Sequence, residues 1–169
     1  DQALSEGLSA SAIGSLYGIA GEGIAALVVD GDFVGSLSAF EGGSGYWLVA
    51  NNAFDFAYNV PSRDDDGVAR SSKQRELPDV PSAYRYAQSM NQQFFFINEA
   101  TIDGESLEEG DWIVSYNDDV VVGARMWTGE YTDVPVMGYD GSDESSIMTA
   151  GYCNPGDAIT FKVYDVSQD

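Results

Sequence analysis

An all-β fold follows from three features of the sequence. Apolar residues alternate at period two, or gather in short runs, between closely spaced turn signals. Helical periodicity of any length is missing. Glycine and aromatic residues are abundant, with 19 Gly, 10 Tyr, 8 Phe and 3 Trp, a composition that suits strands and tight turns. The turn signals predict two small antiparallel β-sandwich-like modules, residues 1–60 and 84–169, joined by a linker at 61–83.

In the first module, Leu4 and Leu8 share one face and predict one or two helical turns over Asp1–Leu8. Ile24–Val29 is a continuous apolar run, and Asp30-Gly31 is a two-residue hairpin signal. Phe33–Leu37 returns as its partner strand. Glu41–Gly45 is a loop, Tyr46–Val49 a short strand and Asn51-Asn52 a turn. Phe54, Phe56 and Tyr58 alternate with Asp55, Ala57 and Asn59, which predicts a half-buried strand. Residues 61–83 differ in character: Pro61, Pro78 and Pro81 bracket the triplet Asp64–Asp66 and most of the chain's basic residues. In the second module, Gln93–Ile97 is a strand and Asp103-Gly104 a turn. Trp112–Tyr116 and Val120–Trp127 form a hairpin about Asn117–Asp119, followed by a crossing segment to Tyr139. Asp140–Thr149 is a polar excursion, and Ile159–Tyr164 closes the module.

The halves align weakly. Val34-Gly35-Ser36 matches Val122-Gly123-Ala124, Gly45-Tyr46 matches Gly151-Tyr152, and Phe54-Asp55-Phe56 matches Ile159-Thr160-Phe161. A glycine after the second hairpin strand implies a close backbone approach, a packing role.

Composition excludes several functions. The 169 residues carry a formal charge of −21, from 28 acidic and 7 basic residues. Such a chain has no basic surface for nucleic acid or for an anionic membrane. No run approaches the ~18 apolar residues of a membrane-spanning helix. With no His and a single Cys, Ser-His-Asp and Cys-His catalysis, His- or Cys-rich zinc sites and an intramolecular disulfide are ruled out. Cys153 reads as a small core residue, with intermolecular pairing as the alternative. A glycosidase pair of carboxylates finds no isolated, apolar position that would raise a carboxyl pKa, so no enzymatic activity is expected.

Three sets of candidate site residues remain. Carboxylates cluster at Asp30/Asp32, Asp64–Asp66, Asp118/Asp119 and Asp140/Asp143/Glu144. None has EF-hand spacing. Asp140, Asp143 and Glu144, with Ser142 beside them, form the best set for Ca²⁺, which takes six to eight oxygens; no other cofactor is expected. Trp47, Trp127, Tyr131 and Tyr139 are candidates for an aromatic platform that would bind a polysaccharide. Arg63, Arg70, Lys73 and Arg75 gather in the linker, where they would dock on the acidic surface of a neighbouring copy. Arg125, the only basic residue between Arg85 and Lys162, is the residue expected to carry any buried ion pair.

Gly110-Asp111-Trp112, Val122–Arg125, Val134–Gly138 and Phe161–Asp165 resemble a group of β-rich modules in large extracellular proteins of marine bacteria and in predicted virion structural proteins of marine tailed phages. Gly21-Glu22-Gly23, Val34–Leu37 and Gly45-Tyr46-Trp47 resemble a companion module that precedes it. The resemblance spans most of residues 19–166 and implies no catalytic residues. Modules of this kind have a further strand before the position of Asp1 and continue beyond Asp169, so the chain reads as a piece of a longer polypeptide or a processed product. The resemblance implies a structural module of a virion or extracellular surface, such as a phage fibre, tail or capsid-surface protein. Its partners would be other copies of itself or other surface proteins. The alternative is a secreted bacterial module that binds carbohydrate or a cell surface.

Overall fold

The computed structural model describes residues 1–60, 73–141 and 147–168. These form an all-β protein of thirteen strands with two short α-helices. It divides into two compact units, Asp1–Leu77 and Pro78–Asp169.

The first unit is built on a four-stranded antiparallel sheet. Its short leading strand β1 (Gln2–Ala3) is followed by helices α1 (Leu4–Gly7) and α2 (Ala10–Ile13), then by β2 (Leu16–Ala20), β3 (Ala25–Val29) and β4 (Asp32–Gly35). The short β5 (Ala39–Phe40) pairs with β1, and β6 (Trp47–Ala50) completes the large sheet in the order β4-β3-β2-β6. Helices of four residues do not persist alone in water. Here Leu4 and Leu8 are fully buried, worth ~1.5–3 kcal/mol each, and the Ser9 hydroxyl caps α2 by accepting from Ala12 N at 3.2 Å. They pack with Leu16, Ile19, Ala26 and Leu37 into the unit's core. The expected hairpin at Asp30-Gly31 is present: Val29 faces Asp32, and both turn residues have positive φ (53° and 93°), the geometry that matches strand twist. A second sheet of comparable size, as a sandwich would have, is not present among the described residues of this unit.

One strand in this unit was not foreseen, and one expected strand is absent. Leu16–Ala20 is a strand that its small residues concealed. Gly18 is required there, since an added Cβ would lie 2.6 Å from the Ala26 carbonyl oxygen. Conversely, Phe54–Tyr58 is not a strand. Its alternation serves a relay of edge-to-face rings, Phe54–Phe56–Tyr58, ending on Phe40. Asn59 fastens the segment to the α1 region, donating from its backbone N to Gly7 O and from its side chain to Glu6 O and Leu8 O. Extended backbone bonded to helix-end carbonyls shows the same period of two as a strand.

The second unit has β7 (Gln92–Ile97), the small hairpin β8 (Thr101–Ile102) and β9 (Glu105–Ser106), β10 (Trp112–Asn117), β11 (Val120–Met126), β12 (Thr132–Met137) and β13 (Ile159–Tyr164). β10 is the centre of a three-stranded sheet, order β11-β10-β13, while β12 pairs with β7. Both faces of β10 are buried. Trp112, Val114 and Tyr116 pack with Val80, Tyr84 and Tyr164 on one face. On the other, Ile113 packs with Trp127, Val134 and Ile97. A bulge in β11 at the level of Ser115/Tyr116 lets Val122 join Val136, Met137 and Tyr152 in the adjoining core cluster.

β12, expected only as a crossing segment, is a fully buried strand. It approaches β11 so closely that a Cβ on Gly123 would lie 1.8 Å from the Pro135 carbonyl oxygen. That carbonyl accepts from the Ser115 hydroxyl at 2.8 Å. The Arg125 guanidinium donates through Nε to Asp133 O at 2.9 Å and pairs through Nη2 with the Asp133 carboxylate at 3.2 Å, both side chains buried. A buried charge is tolerated when a partner and further hydrogen bonds satisfy it. Here the pair ties β11 to β12.

The weak repeat does not extend to topology. The hairpin β3–β4 is flanked by the preceding strand β2, whereas β10–β11 is flanked by the later strand β13. The segment read as linker is ordered where it is described. The Gln74 side-chain amide accepts from the backbone N of Ser38 and Ala39 at 2.9 and 3.0 Å and donates to Ser36 O at 2.7 Å, standing in for a peptide unit beside 36–39. Val80 and Tyr84 belong to the second unit's core.

Candidate functional site

Two places stand out, one in each unit. In the first unit the sheet register separates two faces. Ile19, Ala26, Val28, Phe33 and Leu48 point into the core. Across the strands, Val49 lies opposite Gly18 and Trp47 opposite Ala20, and Leu27 lies opposite Val34, so these residues belong to the other face. A bulge between Leu16 and Gly18 adds Tyr17 to it. Tyr17, Trp47 and Val49 are 54%, 58% and 51% exposed. The open face of an antiparallel sheet is ordinarily polar. Strand β6 is also an edge with the sequence Trp-Leu-Val-Ala, lacking the charge or proline that blunts an edge. The opposite edge, β4, carries Asp32.

In the second unit a cleft of about 380 Å³ opens where the two sheets separate. β7 contributes Gln93, β12 Val136 and β13 Ile159, and the turn after Cys153 contributes Asn154 and Asp157. One step further along β7 and β13, the rings of Phe95 and Phe161 meet edge to face at 5.2 Å and close the gap. The rim is held by a parallel bridge between Gly138 and Cys153. Gly138 N donates to Asn91 O at 2.6 Å, the Asn91 side-chain amide donates to Tyr139 O at 2.8 Å, and Tyr139 N donates to Cys153 O at 2.8 Å. Asn154 N donates to Asp157 Oδ2 at 2.8 Å. A second depression of about 400 Å³ adjoins it and shares Tyr139 and Asn154 with it. Burial, reinforced by the Asp157 charge, pushes the Cys153 thiol above its ordinary pKa, which makes it a poor nucleophile at neutral pH.

The candidate residues named from sequence are scattered between these places. Trp47 is on the open face of the first unit and Tyr139 on the rim of the cleft. Trp127 is 8% exposed and packs with Leu107, Ile113 and Val134; it is a core residue, not a platform, because directly after β11 its backbone N is tied to Asp111 O at 2.7 Å and its ring is covered by that cluster. Tyr131 is half-buried in the turn before β12, at φ 63°. Of the proposed Ca²⁺ ligands, Asp143 and Glu144 lie outside the described residues, as do Asp64–Asp66. Asp140 has one buried carboxylate oxygen, Oδ1, without a partner among the described residues. No group of three or more His, Cys, Asp or Glu suited to a metal occurs among the described residues. Arg63 and Arg70 lie outside the described residues, and Lys73 and Arg75 are exposed.

Tyr17, Gln93, Asn91 and Asn154 were missed by the sequence reading. Only Tyr17 carried a usable signal, an aromatic two residues before Ile19 in a short apolar run. No family model matches the sequence, and comparison with curated proteins and with solved structures finds no match. No helix among the described residues is long and apolar enough to cross a membrane.

Proposed function

We propose that this chain is a non-enzymatic structural module that associates with further copies of itself on a virion or extracellular surface. The observation that carries this reading is the exposed apolar face and uncharged edge of the first unit, formed by Tyr17, Trp47 and Val49. Exposed apolar groups of this kind mark interaction surfaces, and a free edge strand accepts a strand from a partner through main-chain hydrogen bonds. In a chain of −21, copies meet with least repulsion through a surface without charge. The resemblance to extracellular and virion modules supplies the setting, a fibre, tail or capsid-surface protein.

Sedimentation velocity over a wide range of protein concentration, at moderate salt, tests the proposal. The wild type is expected to associate reversibly. Val49→Asp, which places a carboxylate on the open face without touching the core, is expected to abolish association and leave the thermal midpoint unchanged. A wild type that stays monomeric at every concentration, or association that survives Val49→Asp and Trp47→Ser together, overturns it.

A further inference from the structure

We infer that the cleft of the second unit binds a neutral, polyhydroxylated ligand of the saccharide class. This site is separate from the face used for association, and the inference does not rest on that reading. The chemistry of the walls selects the ligand. The side chains of Gln93 and Asn154 have no hydrogen-bond partner among the described residues, and neither has the Tyr139 hydroxyl. Amides and a phenol each both donate and accept, as sugar hydroxyls do. Tyr139, 39% exposed, offers a flat apolar ring at the rim with a polar tip, the form of side chain that packs on the C–H face of a sugar ring. Val136 and Ile159 line the cleft from β12 and β13, so the site combines apolar contact with a few placed polar groups.

Other ligand classes fit less well. No Lys or Arg lines the cleft, and a chain of −21 repels anions. A hard cation needs six or more oxygen acceptors. The cleft has a single carboxylate, Asp157, with one oxygen already accepting from Asn154 N. The volume, about 380 Å³, lies within the ~300–1,000 Å³ of small-ligand sites. The adjoining depression behind Tyr139 and Asn154 extends the path for a chain of sugars, with the Tyr139 ring between two binding positions.

The test is saturation-transfer NMR on the full chain with a panel of neutral oligosaccharides (gluco-, manno- and galacto-configured) and their uronate counterparts. At least one neutral member is expected to receive saturation, with its uronate counterpart weaker. Tyr139→Ala is expected to weaken binding by about tenfold or more, the scale of a lost aromatic anchor, and Gln93→Ala to weaken it also. Both side chains are exposed, so thermal midpoints are expected to match the wild type. Trp47→Ala, in the other unit, is expected to leave binding unchanged. Failure of every neutral sugar to bind overturns the inference. So does preference for the uronates, or binding that survives Tyr139→Ala and Gln93→Ala while Trp47→Ala removes it.

Discussion

At Gly123 a missing side chain decides the packing of two strands. The carbonyl of Pro135 occupies the place where a Cβ would be, at 1.8 Å, and the Ser115 hydroxyl oxygen lies 2.7 Å from the same point. Backbone cannot yield as the end of a flexible side chain can, so Gly123→Ala is expected to cost at least ~3 kcal/mol. Gly42→Ala, with nothing within 4 Å and no positive φ, is expected to change stability by less than about 0.5 kcal/mol. Urea midpoints of the two variants check this; equal midpoints would contradict the close approach. The need for glycine here was legible from its position after the hairpin. The identity of the intruding carbonyl was not, because Pro135 is brought in by a strand that its own proline disguised. Arg125 was legible as the odd charge of its strand, whereas its partner Asp133 was one acid among 28.

The pairing of β10 with β13 places Tyr116 opposite Thr160 and Tyr164 opposite Trp112, and the hydroxyls of the two tyrosines meet at 2.7 Å. The Lys162 ammonium lies 4.4 Å from the centre of the Tyr116 ring, a favourable cation–π distance. Burial, then the bond to the Tyr164 hydroxyl, push the Tyr116 pKa up to about 12. A proton held more tightly in the folded state stabilises the fold fully below pH ~10, the value for an unperturbed tyrosine. That contribution is lost as pH rises through about 12. Urea unfolding at rising alkaline pH is expected to show steepening loss of stability over this window. Tyr116→Phe is expected to flatten the slope in part, since burial raises Tyr86 and Tyr152 as well. An unaltered slope in Tyr116→Phe would refute the assignment. At this scale the hairpins were readable, since Asp30-Gly31 and Asp103-Gly104 both lie in two-residue turns with positive φ. Phe54–Tyr58 was misread because alternation reports extended backbone, and only a neighbouring strand makes it a sheet.

For the whole molecule, charge dominates. With a net −21, acidic residues outnumber basic ones 28 to 7, so most carboxylates have no cation to pair with and are screened mainly by salt. The Debye length falls from ~30 Å at 0.01 M to ~3 Å at 1 M, so the thermal midpoint is expected to rise with sodium chloride over that range as self-repulsion is removed. Differential scanning calorimetry measures it, and a flat or falling midpoint would show that repulsion contributes little. Each unit has its own core, Leu4–Phe40 residues in one and β7–β13 residues in the other.

The sequence by itself determined the all-β class, the hairpins and the acidic surface, because periodicity, turn chemistry and charge are local or additive properties of the chain. Tertiary structure alone decided that Trp127 is core while Tyr17 is surface, that Gln74 completes a strand-like pairing, and that Gln93, Tyr139 and Asn154 share one cleft. Those residues stand up to 61 positions apart, from Gln93 to Asn154. What unites them is the meeting of two sheets and the Gly138–Cys153 bridge, contacts between distant parts of the chain that no local pattern encodes.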